Sequence, residues 1–473
     1  MLDIIEKILA RFRPCFSRAR SFSWFVIVVI GFMVRQDHLG VTSFIRDMDL
    51  NPKWYESLIH FFRAKSWSAP TIRNTWYETL LDASSHLIRI ADRLVMVGDG
   101  VKQPKEAFHM PGVKKMTQES DTCSKPEYIH GHMFGALAIV AGSLTRKFCI
   151  PLKINLQEGL RHASEWAGSE ISGESHVTQM VEASFEAAKV IGKSYLLLDR
   201  YFLTRSALDK LDELNADYTI EDGFRLVEII TKAKKNCVAY RPLPSEIHPH
   251  RGRPRLKGSA VTLSNLFDCL KYFKTGKVQM YGELKDVRYF TCVLLWGQKR
   301  YKPLRFVLVE CEGRQSILVS TDVSLDAITI IKLYATRFSI EETFREFKQQ
   351  IGGFCYHFWT KAISKLNHFA KKSDPDPLES VLSKPDRDKV LNTIKAIEGY
   401  VLFASISMGI LQLLALNETP SGDVQKCRYL RTLPKERPSE ATVMYYFHRR
   451  FYPVLMKTPS SFVTRLILEK MAG

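Results

Sequence analysis

The chain has 473 residues, 45% apolar and 25% charged, with 68 Lys and Arg against 50 Asp and Glu, a formal net charge of +18. Its 28 Phe, 18 Tyr and 7 Trp exclude a disordered chain, and its length exceeds the roughly 250–300 residues at which one core stops growing. Two or three domains, or one with a large insertion, are expected; the basic surplus fits either a plain basic surface or a polyanionic partner, since neutralising phosphates releases condensed counterions.

Residues 1–75 read as helical. Phe22 to Val34 is an apolar run behind Arg11, Arg13, Arg18 and Arg20. It imitates a signal peptide, but no small-residue cleavage site follows, and it is too short to span roughly 30 Å of hydrocarbon, so a buried helix is expected. Asn51-Pro52 marks a helix start, because Asn caps well and Pro at the first position lacks an N–H that would go unsatisfied anyway. Trp54, Leu58, Phe61 and Phe62 then share a face. This segment fits a helix-turn-helix or an ordinary helical hairpin.

From about residue 90 the pattern changes. Arg93 to Asp99 and Tyr195 to Asp199 are short apolar runs ending in an acid, the pattern of buried strands. Strand-like runs near Tyr128 to Ala141 and Phe148 to Leu156, helical spacing in Val177 to Ile191 and Ser206 to Leu214, and a strand at Asp217 to Ile220 complete an α/β core over 76–222. A β-rich insertion is expected over 223–325. A strong helix from about Leu325 to Gln350 follows, within a segment 326–370 that returns to the core. A polar linker and a basic helical region close the chain over 371–473, with an apolar helix from Ile394 to Leu416. The nine cysteines are odd in number, scattered and never spaced C-x-x-C, which predicts free thiols in a reducing compartment and no zinc site. The pair His130 and His132 reads as strand residues near a cleft.

Two acids at the ends of buried strands, Asp99 and Asp199, cost free energy unless paired, solvated or cation-bound. On strands of one sheet they can face a common cleft, and hard cations such as Mg2+ favour carboxylate and phosphate oxygens. A third acid comes from the helix. At about 100° per residue, Tyr334, Arg337, Glu341 and Lys348 fall on one narrow stripe at the margin of the apolar face formed by Leu333, Ile340, Phe344 and Phe347. Glu342 and Glu346 point elsewhere, with Glu346 toward solvent.

The spacing Tyr334, Arg337, Glu341, Lys348 resembles the Y-R-E-K signature of cut-and-paste DDE transposases of bacterial insertion sequences. Asp99 in Val-Gly-Asp-Gly and Asp199 in Leu-Leu-Leu-Asp-Arg-Tyr-Phe resemble that family's two aspartate blocks. The resemblance runs from about residue 90 to 360. It implies an RNase H-like core in which Asp99, Asp199 and Glu341 bind two Mg2+ ions, with Mn2+ able to substitute. It further implies that Arg337 and Lys348 grip phosphates, that Tyr334 positions the strand, and that Trp296 stacks on a flipped base. The implied partners are double-stranded DNA, as terminal inverted repeats and target, and a second copy in a synaptic homodimer. No membrane is implied, and the place of action is the bacterial cytoplasm at the nucleoid. Arg251, Arg253 and Arg255, in an Arg-Gly-Arg-Pro context, read as a minor-groove hook or a loop contacting phosphates. The alternatives are another RNase H-like structure-specific nuclease, or an inactivated transposase retained as a DNA-binding protein. Charge is unevenly placed: residues 231–260 hold eight Lys and Arg against one Glu, and residues 424–473 hold ten against three.

Overall fold

An uninterrupted apolar run gives Arg93–Pro104 (β1) two buried faces. Leu94 and Met96 pack on one side, and Val95 and Val97 on the other. The computed structural model describes every residue except 118–126, 144–145, 169–174, 219–224, 244–254, 281, 368, 370–374, 419–422 and 428–436. Tyr128–Gly142 (β2) pairs antiparallel with β1, and Lys147–Leu156 (β3) pairs antiparallel with β2. The helix His176–Ile191 (α1) leads into Ser194–Leu197 (β4), which lies parallel to β1. The helix Arg205–Asp217 (α2) leads into Val227–Lys232 (β5), parallel to β4. The core order is therefore β3-β2-β1-β4-β5, two antiparallel pairings followed by two parallel ones.

The expected succession of three strands, helix, strand and helix is present. The strand expected at Asp217 to Ile220 is not seen at Asp217, which ends α2; residues 219 and 220 lie outside the described residues. Val227–Lys232, read from sequence at the start of the β-rich stretch, is a neighbour of β4. Beyond it the strands Lys274–Met280 (β6), Glu283–Trp296 (β7), Lys302–Cys311 (β8) and Arg314–Ser320 (β9) form an antiparallel meander, and β9 pairs with β5. The insertion thus extends the same mixed sheet.

Each face of the sheet is covered by different helices. On one, α1 joins the N-terminal helices and Lys384–Asn417 (α5) in a single core that runs from Leu2 to Ile467. Ala19–Val34 is almost wholly buried there, as expected of the apolar run. Helix α5 is 34 residues long and apolar enough to cross a membrane by length and composition, but its apolar stretch is buried inside the protein. The break at Asn51 is also present: its side chain accepts from the Lys53 N–H at 3.1 Å, and Leu58, Phe61 and Phe62 are buried in the helix that follows. The eight described cysteines are free.

The opposite face is covered by Ala327–Thr336 (α3) and Ser339–Gln349 (α4), through Ile330, Ile331, Leu333 and Ile340. One continuous helix was expected here. Instead the chain tightens at Arg337 and Phe338, where the Arg337 N–H bonds to the Tyr334 carbonyl and the Glu341 N–H to the Phe338 carbonyl, each three residues back.

Arg35 fastens the end of α4 to both terminal regions. Only 3% exposed, it donates to Tyr400 Oη at 2.8 Å, to the Gly352 carbonyl at 2.8 Å, to the Ile351 carbonyl and, at 3.4 Å, to the Gly40 carbonyl. Its guanidinium also lies 4.7 Å from the Phe32 ring centre. Removing it strands several buried acceptors, each worth about 1–3 kcal/mol. Arg35→Ala is therefore expected to cost roughly 3 kcal/mol or more, read as a lowered midpoint in urea denaturation.

Candidate active site

Register brings the two aspartates together. In the parallel pair β1–β4, Val97 lies opposite Leu197, so Asp99 and Asp199 stand two residues beyond the same rung. Val95 and Val97 face α3 and α4, and the ion pair with Arg337 at the α3–α4 junction shows that Asp99 does too. Asp199 continues the extended backbone of β4 past its end, at φ −72° and ψ 166°. Asp99 does not end its strand, as expected from sequence, because β1 runs on to Pro104 by pairing with β2. It is the parallel partner that ends, the β1–β4 pairing stopping at Val97 and Leu197. Of the glycines beside Asp99, Gly98 is closely confined, by Met180 and Leu198, whereas Gly100 closely faces only the end of one flexible side chain. A Cβ on Gly98 would meet Met180 Sδ at 2.7 Å, and one on Gly100 would meet Met133 Cε at 2.5 Å.

Arg337, at the α3–α4 junction, closes the arrangement. Its Nη1 lies 3.2 Å from Asp99 Oδ2, and its Nη2 lies 2.9 Å from Glu341 Oε1. The tightened turn therefore preserves the predicted stripe of Arg337 and Glu341. Glu341 is 45% exposed and Arg337 15%, so the stripe lies at the rim of the buried face. Glu346 departs from expectation: it is only 20% exposed, beside Arg345 and within reach of the charge of buried Glu440.

Burial, the largest influence, pushes the Asp99 carboxyl up to about 6; Arg337 and the Gly100 N–H oppose this, while the negative charges of Asp199 and Glu341 add to it. Asp99, Asp199 and Glu341 are thus one electrostatic group. Arg337 is held charged by Asp99, Tyr334, Asp199 and Glu341, which outweigh its desolvation. Among the described residues no three His, Cys, Asp or Glu groups converge closely enough to hold a metal as they stand; the Arg337 guanidinium lies between two of the carboxylates. By chemistry the donor set fits a hard divalent cation, since three carboxylates with one buried and charge-stressed at Asp99 would be relieved by one.

Residues 170–359 match the family model described as Transposase DDE domain. The match supports a DDE transposase and, in general terms, a transposase function. It covers Asp199, Glu341, Tyr334, Arg337, Lys348 and Trp296, and begins downstream of Asp99, which the Arg337 ion pair ties to the matched segment. No curated protein matches the chain.

Within the matched segment, Tyr334 is half-buried against the core under α3, in electrostatic contact with Arg337. Lys348 is exposed two turns beyond Glu341. Trp296 ends β7 partly buried against the insertion core, and its side chain hydrogen-bonds Cys237. Arg251 and Arg253 lie outside the described residues, and Arg255 is exposed just after them. Of the histidine pair, His132 is fully buried between Tyr356 Oη at 2.6 Å and the Pro111 carbonyl at 2.8 Å. Burial, the main cause, pushes it down to about 4, so it is a neutral structural group. The composition marked Lys232, Lys234 and Lys235 only as part of a basic window. The structure gathers them with Arg200 around one cavity, and Lys232, which follows Thr231, whose hydroxyl donates to the Asp199 carbonyl at 2.8 Å, feels the Asp199 charge.

Proposed function

We propose that the chain is a DNA transposase that cleaves the ends of its insertion sequence and joins the freed 3′-hydroxyls to target DNA by phosphoryl transfer on an RNase H-like core. The observation that carries this reading is the link from Asp99 through Arg337 to Glu341, with Asp199 in the same electrostatic group. The strand order β3-β2-β1-β4-β5 with intervening helices supports the RNase H-like assignment. Asp99, Asp199 and Glu341 would hold two Mg2+ ions, with Mn2+ substituting; bound divalent ions supply activation of an attacking oxygen and stabilisation of a leaving one. The chain's own cations complete the site. Arg337 and Lys348 neutralise charge on the phosphoryl oxygens, and Tyr334 orients the strand. Arg251, Arg253 and Arg255 contact the DNA backbone, and Trp296 receives an unstacked base. The working form is a homodimer synapsing two ends in the bacterial cytoplasm at the nucleoid.

The test uses purified full-length protein, Mg2+ and a DNA fragment carrying the inverted repeats that flank the coding region. Cleavage at the repeat termini and joining to a plasmid are expected. Cleavage of branched DNA irrespective of the repeats would instead identify a structure-specific nuclease, and repeat binding with no cleavage a DNA-binding derivative.

A further inference from the structure

Several cations near the insertion are already paired. Arg225, Arg300 and Lys302 converge on Asp212, Arg288 pairs with Glu310, and Lys285 pairs with Glu312 at 3.0 Å. Of those that are not, five share one surface. Arg200, Lys232, Lys234, Lys235 and Arg314 have no carboxylate partner within ion-pair distance among the described residues, and they line two adjoining cavities of about 140 and 410 Å3. No acid lines either cavity. Gln315 and Ser316 supply neutral hydrogen-bonding groups on the shared wall.

The groove has a direction. It begins at Arg200, next in sequence to Asp199, and passes Lys232, whose ammonium feels the charges of both Asp199 and Arg337. It ends at Arg314, on the β8–β9 hairpin, with Arg200, Lys234, Lys235 and Arg314 all exposed. Five cations without an ion-pair partner on one surface make a local positive field that a polyanion would neutralise. Several flexible cations with neutral donors between them suit successive phosphates of a nucleic-acid backbone.

We propose that this groove is a phosphodiester track that carries the DNA strand away from the Asp99, Asp199 and Glu341 centre. The proposal rests on the transposase reading and adds a binding site to it. It is tested with full-length protein and a fluorescein-labelled 20-bp duplex of arbitrary sequence, by anisotropy between 50 and 200 mM KCl. Each phosphate contact contributes about −0.9 to the slope of log K against log salt. The double variant K235A/R314A is expected to bind about tenfold more weakly at 100 mM, with a slope shallower by about 2. The charge-preserving K235R/R314K is expected to restore the slope, and Lys389→Ala, on α5, to leave it unchanged. An unchanged slope in K235A/R314A, with unaltered thermal melting, overturns the track. Asp99→Ala separates the two ideas: retained binding with lost cleavage supports both, whereas normal cleavage by Asp99→Ala defeats the catalytic reading while the slopes still judge the groove.

Discussion

Alanine at Asp99, Asp199 or Glu341 is expected to lower end cleavage by about 10³-fold or more while leaving DNA affinity within a few-fold. A metal-holding carboxylate supports several kcal/mol of transition-state charge stabilisation, and each 1.36 kcal/mol is tenfold in rate. Binding is expected to survive because affinity for DNA comes mainly from cations meeting phosphates, and removing a carboxylate does not weaken those contacts. Glu342→Ala and Glu346→Ala serve as internal controls. Glu342 is exposed on another side of α4, and Glu346 is turned toward Arg345 and the C-terminal region. Gel-based cleavage of a repeat-bearing fragment, with anisotropy for affinity, reads both quantities. Normal cleavage by Glu341→Ala with a dead Glu346→Ala would overturn the assignment of the third acid.

In EDTA at pH 8, Asp99→Asn is expected to be more stable than the parent chain, although it too should be inactive. The sign follows from linkage. The Asp99 carboxyl is raised on folding from 3.8 to about 6, chiefly by burial. Its neutral form therefore favours the folded state, and this contribution is complete below about pH 4 and lost as pH rises through about 6. At pH 8 the ionised carboxylate is a liability on the order of 2–3 kcal/mol, which the uncharged isostere removes. Urea denaturation at pH 8 and pH 5 is expected to show the advantage of Asp99→Asn shrinking as pH falls. A variant less stable than the parent at pH 8 would mean that the Arg337 pairing outweighs the burial cost. A stability reserve given up at one carboxylate is what would be expected if the site receives cations as proposed.

Local patterning was enough to place the core elements and the acids. Short continuous apolar runs marked β1 and β4, helical spacing marked α1 and α2, and the stripe of Tyr334, Arg337, Glu341 and Lys348 singled out Glu341 over its neighbours. These features depend on residues close in the chain, where the repeat of a strand or helix dictates which side chains share a face. The same local logic misjudged Glu346, whose surroundings come from a segment almost a hundred residues later. It also misjudged the end of β1, which is set by pairing with β2 rather than by the acid.

Other features had no local signal. Arg35 reads as the polar residue closing an apolar run; only the packing of three distant segments makes it a buried tie between Gly40, Gly352 and Tyr400. The charge surplus likewise pointed to a polyanion without saying where it binds, because Arg314 and Lys235 are far apart in sequence and meet only when β9 pairs with β5. The sequence by itself determined which side chains carry charge, apolar surface and helical or strand propensity, all properties of neighbours along the chain. The tertiary structure alone decided that Asp99 meets the Arg337–Glu341 pair and that unpaired cations from β5 and the β8–β9 hairpin share one surface, because parallel register and insertion pairing are long-range contacts that no short window encodes.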